Sequence, residues 1–100
     1  MALVRVASTK DLKSGQGKPY TVNGKRIAVF NVDGKFYAMD NTCLHRGGPV
    51  GEGEFDGTVV TCPWHGWQYD VTSGACQTKP PLKLNSYKVE VHGDDIMVDM

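Results

Sequence analysis

Two short stretches concentrate the residue types able to do chemistry: Cys43-Leu44-His45 and, after sixteen intervening residues, Cys62-Pro63-Trp64-His65. Each offers one thiol and one imidazole. Together they match the ligand number of a structural zinc site, a thiolate activated by a neighbouring imidazole, or a cluster of irons held by sulfur and nitrogen. Taken singly, Cys43 and Cys62 would be buried apolar thiols and His45 and His65 ordinary loop residues. Two mixed pairs at short spacing, each followed by glycine (Gly47-Gly48 and Gly66), make that coincidence hard to sustain. A nucleophilic pair would be duplicated without purpose. Zinc is the stronger rival, although its common patterns place two cysteines in one knuckle and two histidines in another. The mixed arrangement suits a [2Fe–2S] centre with one iron on sulfur and the other on nitrogen.

Such ligands need a rigid frame, and the sequence predicts one made of short strands. In extended chain, residues i and i+2 share a face, so Cys43 and His45 can point the same way. The second pair needs a turn, which Pro63 and Gly66 permit. Strands are expected at Leu3 to Ala7, Tyr20 to Val22, Arg26 to Asn31, Lys35 to Met39, Thr58 to Thr61, Trp67 to Asp70, Tyr87 to Val91 and Ile96 to Val98. Asn23-Gly24, Asp33-Gly34 and Asp56-Gly57 read as tight hairpin turns, and Thr9 to Leu12 as a single helical turn. The fold class is therefore all-β, an antiparallel sandwich or barrel, with both Cys/His segments on loops leaving the sheet.

The chain has 100 residues, room for a single domain spanning 1–100. Lys plus Arg balances Asp plus Glu at 11 each, so no basic field selects nucleic acid or anionic lipid. No apolar run approaches a membrane span, and the N-terminus lacks the apolar core of a signal peptide, so a cytoplasmic, soluble protein is expected. Three cysteines, an odd number, argue against a disulfide-stapled scaffold. Cys76 fits no ligand spacing and reads as a buried or semi-buried thiol. His92, before Gly93, reads as a turn residue. Glu52, Glu54 and Asp56 form an acidic stretch, read either as a solvated loop or as an electrostatic docking patch.

The pattern C-x-H-x16-C-x2-H, with HRGGP after the first pair, HGWQYD around the second histidine and TSG further on, closely resembles the Rieske iron–sulfur family. The resemblance implies a Rieske-type antiparallel β-sandwich with two cluster-binding loops at one tip. It also implies one [2Fe–2S] cluster per chain, one iron on Cys43 and Cys62 and the other on His45 and His65. Respiratory members carry a further cysteine in each loop, at the places held here by Gly48 and Trp64, so their loop-to-loop disulfide cannot form. Trp67 stands where they have a serine that donates to a cluster sulfide, whereas Tyr69 matches the tyrosine that bonds a ligand sulfur. Fewer donors imply a reduction potential low in the Rieske range. Pro80-Pro81 looks like the family's proline-bearing third loop, and Trp64 and Trp67 either shield the cluster, the default for packed rings, or present an aromatic docking surface.

What the resemblance implies for function is an electron carrier, not an enzyme: a monomer taking one electron from a flavin-type reductase to a terminal oxygenase. With His45 and His65 assigned, only His92 is left for a two-histidine, one-carboxylate iron site. No Gly-rich nucleotide fingerprint is present either. The alternative is the small Rieske-like subunit of an assimilatory nitrite reductase.

Overall fold

The structure, a computed structural model, describes residues 3–44, 47–64 and 66–100. Among these, the chain forms β1 (Leu3–Ser8), β2 (Gly17–Val22), β3 (Lys25–Val32), β4 (Lys35–Asp40), β5 (Glu54–Asp56), β6 (Val59–Thr61), β7 (Gln68–Asp70), β8 (Ser86–Tyr87), β9 (Val89–His92) and β10 (Asp95–Asp99). Two 3-10 turns, Thr9–Asp11 and Val50–Glu52, complete the elements. The sheets run β1-β10-β9, β2-β3-β4-β8 and β5-β6-β7, with antiparallel pairing in each. The expected all-β antiparallel class is what forms. Among the described residues, no helix is long and apolar enough to cross a membrane.

The tight turns follow from backbone chemistry. Asn23 and Gly24 have φ of 51° and 79°, and Asp33 and Gly34 have 50° and 90°. Two successive positive φ values turn a hairpin with the twist its strands need, and Asn-Gly or Asp-Gly tolerates them best. The strand between these turns, β3, is central. Its alternation sends Ile27 and Val29 into one core with Leu12, Val22, Ala38, Ile96 and Val98. Ala28 and Phe30 point the other way, into a second core with Met39, Val50, Val60, Tyr69, Val71, Leu84 and all three cysteines. Burial on both faces explains why Ile27-Ala28-Val29-Phe30 is an unbroken apolar run. The second core joins the four-stranded sheet to β5-β6-β7, with the Phe30 and Phe55 rings 5.0 Å apart and tilted by 54°.

The elements differ from the expectations in several places: β2 begins at Gly17 rather than Tyr20, and the turn expected at Asp56-Gly57 falls at Gly57-Thr58, because Asp56 still pairs with Val59 in β5. The segment expected as one strand, Tyr87 to Val91, divides at Lys88: β8 pairs with β4, and β9 with β10. The chain hands itself from one sheet to the next there. Part of the acidic stretch is not loop, because Glu54–Asp56 is β5, with Phe55 turned inward between two exposed carboxylates. Glu52 closes the 3-10 turn that precedes it.

Candidate functional site

The first Cys/His loop leaves β4 and is closed by successive bonds. Asn41, only 3% exposed, accepts the Gly51 amide on Oδ1 at 2.7 Å, and its carbonyl accepts the Val50 amide at 2.8 Å. Thr42 and Pro49 then form an antiparallel bridge, and Cys43 donates its amide to the Gly48 carbonyl at 2.9 Å. The second loop connects β6 to β7 and is pinched by the Cys62 amide donating to the Trp67 carbonyl at 2.7 Å. Each cysteine thus sits at the neck of its loop, where the backbone is held on both sides.

The loops interlock. A Cβ added at Gly48 would lie 2.8 Å from Cys62 Sγ and 2.9 Å from Trp64 Cγ, so only glycine lets the first loop rest on the second. Cys43 and Cys62 are 3% and 1% exposed and share the second core. Beneath them, the Tyr69 hydroxyl lies 3.2 Å from Cys43 Sγ and accepts the Leu44 amide at 3.0 Å. Either atom of this hydroxyl–thiol pair could donate; once Cys43 is a thiolate, which carries no proton, the hydroxyl is the donor.

Burial, first of all, pushes the Cys62 thiol pKa up; the adjacent Cys43 raises it further, while a backbone hydrogen bond at Trp64 lowers it. Burial also raises Tyr69, and its hydrogen bond to Cys43 adds to that, so the phenol keeps its proton through the neutral range. Two neighbouring buried thiols would not ionise side by side unaided. At Cys43 and Cys62 a bound metal would remove that obstacle, because it favours both thiolates over the thiols. The Trp64 backbone hydrogen bond favours the Cys62 thiolate, and the Tyr69 hydroxyl is placed to donate to a Cys43 thiolate. The donor set therefore fits a metal centre bound through sulfur. Among the described residues, no group of three or more His, Cys, Asp or Glu side chains is placed to hold a metal ion.

The structure brings Cys43 and Cys62 together; His45 and His65 lie outside the described residues, as does Arg46. Their neighbours Leu44 and Trp64 are 46% and 51% exposed. The two tryptophans part company: Trp67 packs against the second core, whereas Trp64 is open to solvent. Its stem is occupied by the contact with Gly48, which leaves the ring outside. Pro80 and Pro81, joined by a cis bond, lie in an exposed loop closed by the Cys76 amide donating to the Leu82 carbonyl at 2.9 Å. His92 ends β9 and meets Glu90 at 3.1 Å, a surface contact. Cys76 is buried, as expected.

Sequence reasoning missed Asn41 and the Leu44 amide. Strand alternation held a signal for the first, because residues 37, 39 and 41 share a face and Met39 is fully buried. No local signal marks the second, since Leu44 and Tyr69 are 25 positions apart.

Comparison with known proteins agrees with this chemistry. The chain is 31% identical over 91 residues to the ferredoxin component of the naphthalene 1,2-dioxygenase system of Pseudomonas aeruginosa, covering 90% of this chain and 88% of that protein. It is 33% identical over 101 residues to the ferredoxin component of biphenyl 2,3-dioxygenase of Rhodococcus jostii, covering 100% and 94%. Among solved structures, it superposes with a TM-score of 0.87 and 31% identity on a chain in the complex of reduced oxygenase and oxidized ferredoxin of carbazole 1,9a-dioxygenase, covering 96% of this chain and 91% of that one. A putative nitrite reductase small subunit superposes at 0.84 but with 20% identity, a likeness of fold alone. The family model described as the Rieske [2Fe-2S] domain matches residues 2–88, and the chain belongs to that family, with one [2Fe–2S] cluster as its cofactor.

Proposed function

We propose that residues 1–100 form one unit acting as a one-electron carrier, taking its electron from a flavoprotein reductase and giving it to a terminal oxygenase. Cys43 and Cys62 hold one iron and His45 and His65 the other. When bound, the cluster supplies a reversible one-electron couple. The chain's own residues set its environment. Tyr69 donates to Cys43 Sγ, Gly48 lets the loops meet over Cys62, and Trp67 keeps water from the core side.

The observation that carries this reading is the pairing of two buried thiols at the necks of two interlocked loops, with a phenol aimed at one of them. Leu44 and Trp64 beside the ligand positions, and Leu82 in the proline loop at 48% exposed, offer apolar area to a partner protein. Dioxygenase ferredoxins near 30% identity along nearly the whole chain support the oxygenase as acceptor. The nitrite reductase alternative rests on fold likeness only and is not favoured. As a carrier working between two enzymes, the chain is proposed to be cytoplasmic and monomeric and to catalyse no reaction itself.

The test is direct. Purified protein made with adequate iron should contain two irons and two acid-labile sulfides per chain, as the family's cluster requires. It should take up one electron and give a rhombic EPR signal with an average g below that of all-cysteine clusters. It should then pass the electron to an aromatic-ring oxygenase in stopped-flow mixing. Stoichiometric zinc without labile sulfide would overturn the ligand assignment. A competent cluster that no such oxygenase oxidises, but that a sirohaem nitrite reductase does, would reverse the choice of acceptor.

A further inference from the structure

Phe55, Val60, Tyr69 and Cys76 are successive partners across neighbouring segments: Phe55 pairs with Val60, Val60 with Tyr69, and Tyr69 with Cys76. Directly opposed residues in antiparallel pairing present their side chains on the same face, about 5 Å apart at Cβ. The Tyr69 ring, 0% exposed, is therefore held between Val60 on one side and Cys76, 2% exposed, on the other. The ring's hydroxyl end reaches Cys43 Sγ.

Cys76 is itself fixed from beyond. Its sulfur accepts the Lys79 amide at 3.4 Å, a length suited to sulfur and too long for a good bond to oxygen. Its own amide donates to the Leu82 carbonyl, and Leu82 donates to the Lys79 carbonyl at 3.1 Å. Next to it, the Gln77 amide donates to the Gln68 carbonyl at 2.7 Å, and the Gln68 amide to Thr78 Oγ1 at 2.9 Å. The proline loop and the start of β7 are thus tied together at one buried thiol that lies against Tyr69.

We propose that Cys76 is a positioning residue for the redox centre: by accepting the Lys79 amide and packing against Tyr69, its thiol holds the Tyr69 hydroxyl on Cys43 Sγ. This rests on the reading of Cys43 as a cluster ligand. Cys76 forms no bond to iron and undergoes no redox change of its own. Its effect on the centre passes entirely through Tyr69. A thiol suits the position because it is apolar enough to be buried and still accepts an N–H.

The test is a double-mutant cycle on the cluster-loaded protein. Cys76→Ala deletes the acceptor and leaves a void beside the ring. The Lys79 amide should exchange with deuterium about fivefold faster, the equivalent of one net hydrogen bond, and the midpoint potential should fall by less than Tyr69→Phe lowers it. In a Tyr69→Phe background, Cys76→Ala should still speed exchange at Lys79 but move the potential no further. Cys76→Ser keeps an acceptor and should lie between wild type and Ala in both readouts. If the thiol only fills space, a buried hydroxyl is the worse replacement, and Ser falls below Ala. A wild-type potential in Cys76→Ala, or an equal drop in both backgrounds, overturns the proposal, as does Ser falling below Ala in Lys79 protection. Should Cys76→Ala not hold iron, the same cycle run with Cys76→Ser decides. Wild-type protein without iron and labile sulfide would instead overturn the ligand reading, a failure visible before any variant is made.

Discussion

Replacing Tyr69 by Phe removes a single oxygen at a site where its two partners are known. The ring is fully buried between Val60 and Cys76, and Phe retains that packing. What is lost is the contact to Cys43 Sγ at 3.2 Å and the acceptor of the Leu44 amide at 3.0 Å. The second loss concerns a part-buried amide and should lower stability by about 1 kcal/mol. The first acts on the redox equilibrium. A hydrogen bond to a neutral group contributes about 1 kcal/mol net and one to a charged group about 1.5 to 3. A bond that strengthens as the centre gains an electron therefore favours the reduced state by about 1 kcal/mol. For a one-electron couple, a tenfold change is 59 mV, so 1 kcal/mol corresponds to about 40 mV. Tyr69→Phe should lower the midpoint by about that amount.

Voltammetry of both proteins at equal iron and sulfide content measures the difference. Because burial and Cys43 hold the Tyr69 pKa above its ordinary value, the donor is protonated throughout the neutral range. The gap between the two proteins should therefore stay constant between about pH 6 and pH 9, well below the ordinary tyrosine pKa near 10. An unchanged or raised midpoint in fully loaded Tyr69→Phe would show that the hydroxyl does not favour the reduced centre, and the assignment of its proton to the sulfur would fall.

Gly48→Ala should prevent normal cluster loading, because its Cβ would meet Cys62 Sγ at 2.8 Å; iron content after reconstitution checks this, and full loading would show that the loops can part. Asn41→Ala strands the Gly51 amide beneath the first loop and should lower stability by about 1 to 3 kcal/mol, read from denaturant midpoints at constant m. Tyr69, Tyr20 and Tyr87 all have raised pKa values, with burial the largest cause in each. The folded state thus holds these protons more tightly than the unfolded chain. The contribution of these three tyrosines to stability should be constant below about pH 10 and be lost as pH rises toward the folded values, which unfolding curves of wild type and the Tyr20→Phe and Tyr87→Phe variants at graded alkaline pH will trace.

The parts of this molecule legible in the sequence are those specified by neighbours in the chain. The hairpins at Asn23-Gly24 and Asp33-Gly34 require positive φ, and the residues that supply it are there. The loop necks are equally local, since Cys43 and Cys62 each bond the residue five positions on, Gly48 and Trp67. The strand β5 was hidden because three residues, one of them apolar, carry no measurable period. The division at Lys88 was hidden for another reason: both halves are extended chain, and only their partners differ.

The groups that tune the site are of this second kind. Tyr69 meets Cys43 across 26 positions, and its ring is backed by Cys76, which carries no motif of its own. A spacing pattern identifies which cofactor a chain can hold, because coordination geometry fixes the spacing. The potential depends on which donors reach the ligand sulfurs, and those arrive from strands whose register is set by the two cores. Family members sharing one spacing pattern can therefore differ in potential through residues such as the one opposite Tyr69. In this chain that residue is a buried thiol tied to the proline loop. Substitutions in the 77–82 loop that break the Lys79 amide contact should then reach the potential without touching any ligand, whereas exposed positions of β9 such as Val91, at 45% exposed and in a different sheet, should not.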